Sequence, residues 1–98
     1  MSSEITPRKF ESLCVVGLGY IGLPTAVTFA SRRVHVTGVD VVASVVETIN
    51  SGKVHFQEPD LDILLHAVVS EGWLKASLEP VPADAFIIAV PTPFDKKT

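Results

Sequence analysis

Three glycines, Gly17, Gly19 and Gly22, follow an apolar run and precede a segment compatible with a helix. This G-x-G-x-x-G spacing between a strand and a helix is typical of loops that bind dinucleotides. The first glycine allows a tight turn, the second lets a pyrophosphate approach the backbone, and the third lets the helix pack closely on the strand. The phosphate charge then lies at the helix N-terminus, where unpaired N–H groups and the helix dipole favour anions.

An acidic residue follows this loop at the distance that a dinucleotide site requires. Asp40 lies eighteen positions after Gly22, at the end of the predicted second strand. Its carboxylate would accept hydrogen bonds from a ribose diol and would repel a 2′-phosphate, so we expect NAD rather than NADP. Arg32 and Arg33 come at the far end of the intervening helix, and we interpret them as solvated charges rather than a phosphate clamp.

Composition limits the classes of protein that fit this chain. Its 98 residues suit one small domain, and no apolar run approaches the ~20 residues that span a bilayer. The polar segment 1–11 is expected to be a flexible lead-in rather than a signal peptide. A net charge of −3 gives no reason to propose nucleic acid or a membrane as partner. The single cysteine fits a reducing cytoplasm.

Hydrophobic periodicity predicts the element order β-α-β-α-α-β-β. We expect a partial, doubly wound, Rossmann-like α/β sheet with the strand order 3-2-1-4. In this order strands one and four are neighbours, and dinucleotides bind in the crevice at their carboxyl ends. The glycine loop, Asp40 and Thr92 each follow a strand that ends there. Strand one is apolar almost throughout, which indicates that both of its faces are covered, and strand four is apolar throughout. The predicted strands span residues 12–18, 34–39, 74–78 and 85–90, and the helices span about 20–31, 42–49 and 58–69.

Four segments carry a resemblance to a known family. They are G-L-G-Y-I-G-L-P at 17–24, G-V-D at 38–40, E-P-D-L at 58–61 and A-V-P-T-P at 89–93. From about Leu13 to Phe94 the sequence resembles the UDP-glucose/GDP-mannose dehydrogenase family, the nucleotide-sugar 6-dehydrogenases. Within it, the sequence is most similar to the UDP-N-acetyl-D-mannosaminuronate dehydrogenase branch.

The resemblance implies a two-step, NAD-dependent oxidation of the C6 alcohol of a UDP-sugar, such as UDP-N-acetylmannosamine, through a covalent intermediate on a cysteine. It implies cofactor contacts at Tyr20 and Ile21 through backbone N–H groups, at Asp40, and at Thr92 on the ribose or nicotinamide side. The catalytic cysteine, its lysine and asparagine partners and the sugar-binding domain would lie beyond Thr98. We therefore expect residues 12–98 to be a truncated NAD-binding domain, not catalytic alone, from a cytoplasmic, homo-oligomeric enzyme of polysaccharide biosynthesis.

Other reactive side chains have simpler explanations than catalysis or metal binding. Cys14 lies inside an apolar strand and is expected to be a buried hydrophobic residue. The three histidines lack metal-ligand spacing, and His66 is expected at the surface of a helix. Glu58 and Asp60 fit the start of a helix. Relatives often carry asparagine where this chain has Val42, so a polar group near the ribose is absent here.

Two alternative functions stay open at this point. The chain could be a non-catalytic dinucleotide-binding or interaction module, because every candidate residue in it serves binding. It could also belong to another Rossmann reductase that uses NADP. A longer reading frame with a downstream cysteine motif would favour the enzyme. We also expect the strand from Ala85 to Val90, apolar and without charge, to form an open sheet edge through which the isolated chain self-associates.

Overall fold

One parallel sheet of four strands organises the chain. A computed structural model describes residues 11–89, apart from the side chain of Pro59. The elements are β1 (Ser12–Val16), α1 (Gly22–Ser31), β2 (His35–Val39), α2 (Ala43–Asn50), α3 (Pro59–Ser70), β3 (Leu74–Ser77) and β4 (Ala85–Ile88). The strand order is β3-β2-β1-β4, with every neighbouring pair parallel. The predicted element order and the Rossmann-like sheet are both confirmed.

The strands are shorter than the apolar pattern predicted, because the chain turns out of the sheet at their ends. β1 stops at Val16, since Gly17 makes the last ladder bond from its N–H to Val39 O at 2.7 Å and then takes a φ of 103°, outside the extended range. β3 stops at Ser77, whose hydroxyl donates to Glu79 O at 2.9 Å and accepts from Glu79 N at 3.1 Å. These two bonds between Ser77 and Glu79 form a turn.

The apolar stripes of the helices only partly match the buried faces. On α3, Leu61, Leu65 and Val68 are buried, but Leu64 is 50% exposed, because the helix packs on α1 and β3 with a narrower face than predicted. On α1, the predicted face of Gly22, Ala26, Phe29 and Ala30 is joined in the core by the fully buried Leu23 and Val27. α1 contacts the sheet and α3 together, which widens its buried surface.

β1 and β4 have different surroundings although both are apolar. Leu13, Cys14 and Val15 of β1 are buried, so both faces of this strand are covered as predicted. In β4, by contrast, Phe86 is 51% and Ile88 65% exposed. Within residues 11–89, β4 pairs with β1 only, and one of its faces carries no packed layer. The predicted end of this strand at residue 90 lies outside the described residues.

The opposite edge of the sheet is closed by a side chain. Asn50, the last residue of α2, donates from Nδ2 to Ala76 O at 3.0 Å and accepts from Ala76 N at 2.8 Å. Its amide thus makes the pair of bonds that a further strand would make to β3. Among the described residues, no helix is long and apolar enough to cross a membrane.

Candidate dinucleotide-binding site

A cleft of about 710 Å³ opens at the carboxyl ends of β1 and β4. It is lined by residues 17–21, which we call the glycine loop, by Asp40, and by residues 87–89 at the end of β4. The volume lies in the range of small-molecule and cofactor pockets, ~300–1,000 Å³. The structure therefore brings Asp40 together with the predicted glycine loop, while Thr92 lies outside the described residues.

The three glycines have separate structural roles. Gly17 adopts a φ of 103°, which other residues rarely take. A Cβ on Gly22 would collide with the carbonyl oxygen of Gly17 and would lie 2.8 Å from its carbonyl carbon and 3.2 Å from Ala89 Cβ. A Cβ on Gly19 would meet nothing within 4 Å. Gly22 therefore permits the close packing of α1, whereas Gly19 leaves open space beside the backbone.

The start of α1 offers backbone donors without a competing side chain. The helix begins with bonds from Leu23 N to Gly19 O at 3.1 Å and from Thr25 N to Ile21 O at 3.2 Å. Within residues 11–89, no acceptor is paired with the N–H groups of Tyr20 and Ile21. The first turn also contains no acidic residue and no side-chain cap. This end of the helix can therefore accept an anion.

Asp40 joins the glycine loop to the start of α2. Its Oδ2 accepts from Leu18 N at 3.1 Å, and its Oδ1 accepts from Val42 N at 3.0 Å. A carboxylate has about four acceptor positions, so two remain for a ligand. The bond to Val42 N forms an Asx turn before α2, and no side chain caps this helix at Val42.

Two further residues contact the glycine loop, and the sequence analysis did not assign them a role. His55 Nε2 lies 2.6 Å from Leu18 O, and the ring of Phe56 lies 4.5 Å from the ring of Tyr20. Both belong to the segment between α2 and α3. No spacing rule connects this segment to the glycine loop, so no motif in the sequence could have found the contacts.

The remaining candidates are largely where the sequence placed them. Cys14 is fully buried, and His66 is exposed on α3. Asp60 lies in the first turn of α3. The guanidinium of Arg33 lies 5.6 Å from the centre of the Trp73 ring, so this side chain has an aromatic partner rather than being solely solvated. Among the described residues, no group of three or more His, Cys, Asp or Glu side chains could hold a metal ion.

The parallel sheet, the glycine loop and the acid after β2 define a dinucleotide-binding Rossmann domain. Residues 11–98 match the model of the UDP-glucose/GDP-mannose dehydrogenase family, NAD binding domain. The chain belongs to this family, and NAD is the cofactor of the domain that it matches.

Two bacterial dehydrogenases are similar to this chain over most of its length. The chain is 62% identical over 87 residues to the UDP-N-acetyl-D-mannosamine dehydrogenase of Campylobacter jejuni, covering 89% of this chain and 21% of that protein. It is 61% identical over 85 residues to the NDP-N-acetyl-D-galactosaminuronic acid dehydrogenase of Ralstonia nicotianae, covering 87% of this chain and 20% of that protein. The chain thus spans about a fifth of the length of these curated relatives.

Solved structures share the fold. The UDP-N-acetyl-mannosamine dehydrogenase of Staphylococcus aureus superposes with a TM-score of 0.85 at 45% identity, over 88% of this chain and 21% of that one. A ternary complex of the GDP-mannose dehydrogenase of Pseudomonas aeruginosa superposes with a TM-score of 0.82 at 32% identity, over 87% of this chain and 20% of that one. Both support the assignment of the family.

The surroundings of Gly22 and Gly19 predict a large loss of stability for one alanine substitution and a small loss for the other. Gly22→Ala places a methyl group against the Gly17 backbone, so we expect a loss of about 3 kcal/mol or more in the free energy of unfolding. Gly19→Ala meets open space and should cost about 1 kcal/mol or less. Urea unfolding of both variants measures the difference. Equal destabilisation by the two substitutions would contradict the roles assigned to these glycines.

Proposed function

We propose that NAD binds in the cleft with its pyrophosphate on the glycine loop and its adenosine ribose on Asp40. The observation that best supports this proposal is the bond from Leu18 N to Asp40 Oδ2, which places the carboxylate beside N–H groups of the loop that have no acceptor within residues 11–89. Tyr20 and Ile21 donate these N–H groups, and the open side of Gly19 admits the phosphates. Gly17 and Gly22 shape the loop, and Thr92 approaches the ribose or nicotinamide side.

The surroundings of Asp40 support NAD over NADP. A 2′-phosphate would lie against this carboxylate, and it would need a cationic side chain to offset the repulsion. In the part of the chain that the structure describes, no lysine or arginine lines the cleft. The guanidinium of Arg33 lies over the ring of Trp73, which does not line the cleft.

We propose that the whole protein oxidises the C6 alcohol of a nucleotide sugar to a uronate, with UDP-N-acetylmannosamine as the substrate. NAD supplies the hydride acceptor, and the described residues bind and orient it. The name of the Campylobacter relative supports this sugar, while the Ralstonia relative is named for an N-acetylgalactosamine-derived uronate. The 1–11 and 12–98 boundaries, the cytoplasmic location and the role in polysaccharide biosynthesis stay predictions, and a non-catalytic dinucleotide-binding module is the alternative.

Substituting Asp40 tests the cofactor site. In the intact protein, Asp40→Ala removes charge-assisted hydrogen bonds to the ribose, so the affinity for NAD should fall by about 1.5–3 kcal/mol, or roughly 10- to 150-fold in Kd. The preference for NAD over NADP should shrink in the same variant. Isothermal titration with both cofactors gives the four dissociation constants.

Asp84→Ala is the matched control for this experiment. Asp84 also accepts backbone N–H groups, from Glu11 at 2.8 Å and from Ser12 at 3.0 Å, but it precedes β4, at the end of the sheet opposite to the cleft, and does not line the cleft. Its loss should leave the Kd for NAD within about twofold, because an exposed hydrogen bond away from the ligand contributes little. Equal affinity of the unsubstituted protein for NAD and NADP would contradict the proposal.

The 98-residue chain alone should not turn over a nucleotide sugar. Its single cysteine, Cys14, is fully buried in β1, and the residues that line the cleft include no candidate nucleophile. Incubation with NAD and UDP-sugars, followed by NADH absorbance, should give no signal above the blank. Turnover that persists through further purification would overturn both the assignment of Cys14 and the inference that this chain is not catalytic alone.

We also propose that the isolated chain self-associates through β4. The exposed, uncharged side chains of Phe86 and Ile88 lie on a strand that pairs on one side only within residues 11–89. Asn50 closes the opposite edge of the sheet, and no described side chain makes an equivalent pair of bonds to β4. Unpaired apolar edges are sites of strand addition. The homo-oligomeric state of the whole protein stays a prediction.

A charge on this edge should prevent the association. We expect light scattering to show concentration-dependent oligomers for the isolated chain and a smaller species for Phe86→Lys, because lysine blocks edge pairing. Ile63→Lys is the control, since Ile63 is an exposed apolar residue on α3. The proposal would be contradicted if the unsubstituted chain is monomeric at high concentration, or if both lysine substitutions reduce the oligomer size equally.

A further inference from the structure

The segment 51–58, which joins α2 to α3, contacts the glycine loop through two side chains. His55 Nε2 lies 2.6 Å from Leu18 O, and the ring of Phe56 packs on the ring of Tyr20 at 4.5 Å. The His55 ring also meets the Phe56 ring edge to face at 4.9 Å. The two contacts lie on successive residues, so one short segment holds both ends of the Leu18–Tyr20 stretch.

The bond between His55 and Leu18 has a defined direction. A backbone carbonyl oxygen can only accept, so His55 must carry its proton on Nε2 and donate it. The N–H of Leu18 is bound by Asp40 Oδ2 at 3.1 Å. Both backbone polar groups of Leu18 are therefore bound by side chains: the carboxylate of Asp40 accepts from its N–H, and the imidazole of His55 donates to its carbonyl oxygen.

This bond also orients the next N–H group of the loop. In a trans peptide unit the carbonyl of Leu18 and the N–H of Gly19 point in opposite directions. Holding the carbonyl toward His55 therefore directs the Gly19 N–H away from the 51–58 segment. Among the described residues, no acceptor is paired with that N–H, and Gly19 lines the cleft.

The 51–58 segment is anchored independently of the glycine loop. Val54 N donates to Asp62 Oδ1 at 3.1 Å on α3, and Lys53 N donates to Thr48 O at 3.1 Å on α2. These bonds fix the segment to two helices that lie outside the cleft. His55 can therefore restrain the glycine loop rather than follow its movement.

We propose that His55 is a positioning residue for the cofactor, which holds the Leu18–Gly19 peptide so that the loop presents its N–H groups to the pyrophosphate. The inference rests on the proposed binding of NAD in this cleft. Fixing these donors before the ligand arrives removes the entropy cost of ordering them on binding. The effect of His55 should therefore appear for ligands that contain the pyrophosphate and not for adenosine.

Two substitutions in the intact protein separate the donor from the ring. His55→Phe keeps a ring that can pack on Phe56 and removes the donor, so the affinity for ADP-ribose and NAD should fall about fivefold. His55→Gln restores an N–H donor at a similar reach and should recover binding to within about twofold of the unsubstituted protein. Adenosine, followed by NMR titration, should bind all three proteins equally.

His35→Gln is the matched control. His35 begins β2, at the end of the sheet opposite to the cleft, and its ring contacts Trp73 at 4.5 Å. The substitution removes a contact between a histidine ring and an aromatic ring, as His55→Gln does, but it does not affect the glycine loop. The affinity for ADP-ribose should therefore not change. Thermal unfolding of each variant shows whether a loss of binding accompanies a loss of folded protein.

The outcomes that overturn the inference are distinct from those that overturn the proposed function. If the unsubstituted protein binds neither NAD nor ADP-ribose, the proposed function fails and this inference fails with it. If that protein binds NAD and His55→Phe binds ADP-ribose equally well, or loses adenosine in the same proportion, only the positioning role fails. Nitrogen NMR of the unsubstituted protein should also find the His55 proton on Nε2; a proton on Nδ1 alone would overturn the inference without any variant.

Discussion

The contact between Gly22 and the carbonyl of Gly17 sets the position of α1, and the cleft depends on that position. Because Gly22 has no side chain, α1 begins in close contact with the carbonyl group of Gly17, which follows β1, and a Cβ at position 22 would prevent this contact. Tyr20 and Ile21 line this cleft, and within residues 11–89 their N–H groups have no paired acceptor. Ala89, at the end of β4, packs at the same point, so one close approach assembles two walls of the cleft.

Leu18 is the junction through which the other elements reach this loop. Its N–H is bound by the acid after β2 and its carbonyl by the segment after α2, although its own side chain lies in the core. The site is therefore built from main-chain groups that neighbouring side chains hold in place. Tyr20 is 76% exposed and Ile21 73% exposed, which suits residues whose contribution to an anion is the backbone N–H.

Much of this arrangement could be predicted from the sequence, because its causes are local. Periodicity gave the order of elements, and the glycine spacing with Asp40 placed the loop and the acid at one edge of the sheet. The exact ends of the strands could not be predicted from the apolar pattern, because they depend on the φ of 103° at Gly17 and on the turn between Ser77 and Glu79.

The errors share a physical origin in tertiary packing. Leu64 has the helical spacing of a core residue, yet the width of the surface against α3 leaves it half exposed. The exposure of Phe86 and Ile88 likewise depends on what lies beside β4 and not on their apolar character alone. His55 meets Leu18 only because the segment after α2, a helix that packs on β3 and α3, returns to the glycine loop, and periodicity contains no information about such a contact.

The central claim is that the glycine loop and Asp40 together hold one NAD molecule. A crystal structure of the intact protein grown with NAD tests this most directly. We expect pyrophosphate oxygens within hydrogen-bonding distance of the Tyr20 and Ile21 N–H groups. We also expect both hydroxyls of the adenosine ribose to donate hydrogen bonds to the Asp40 carboxylate. A bound NAD whose phosphates lie away from the start of α1, or whose ribose does not reach Asp40, would contradict it.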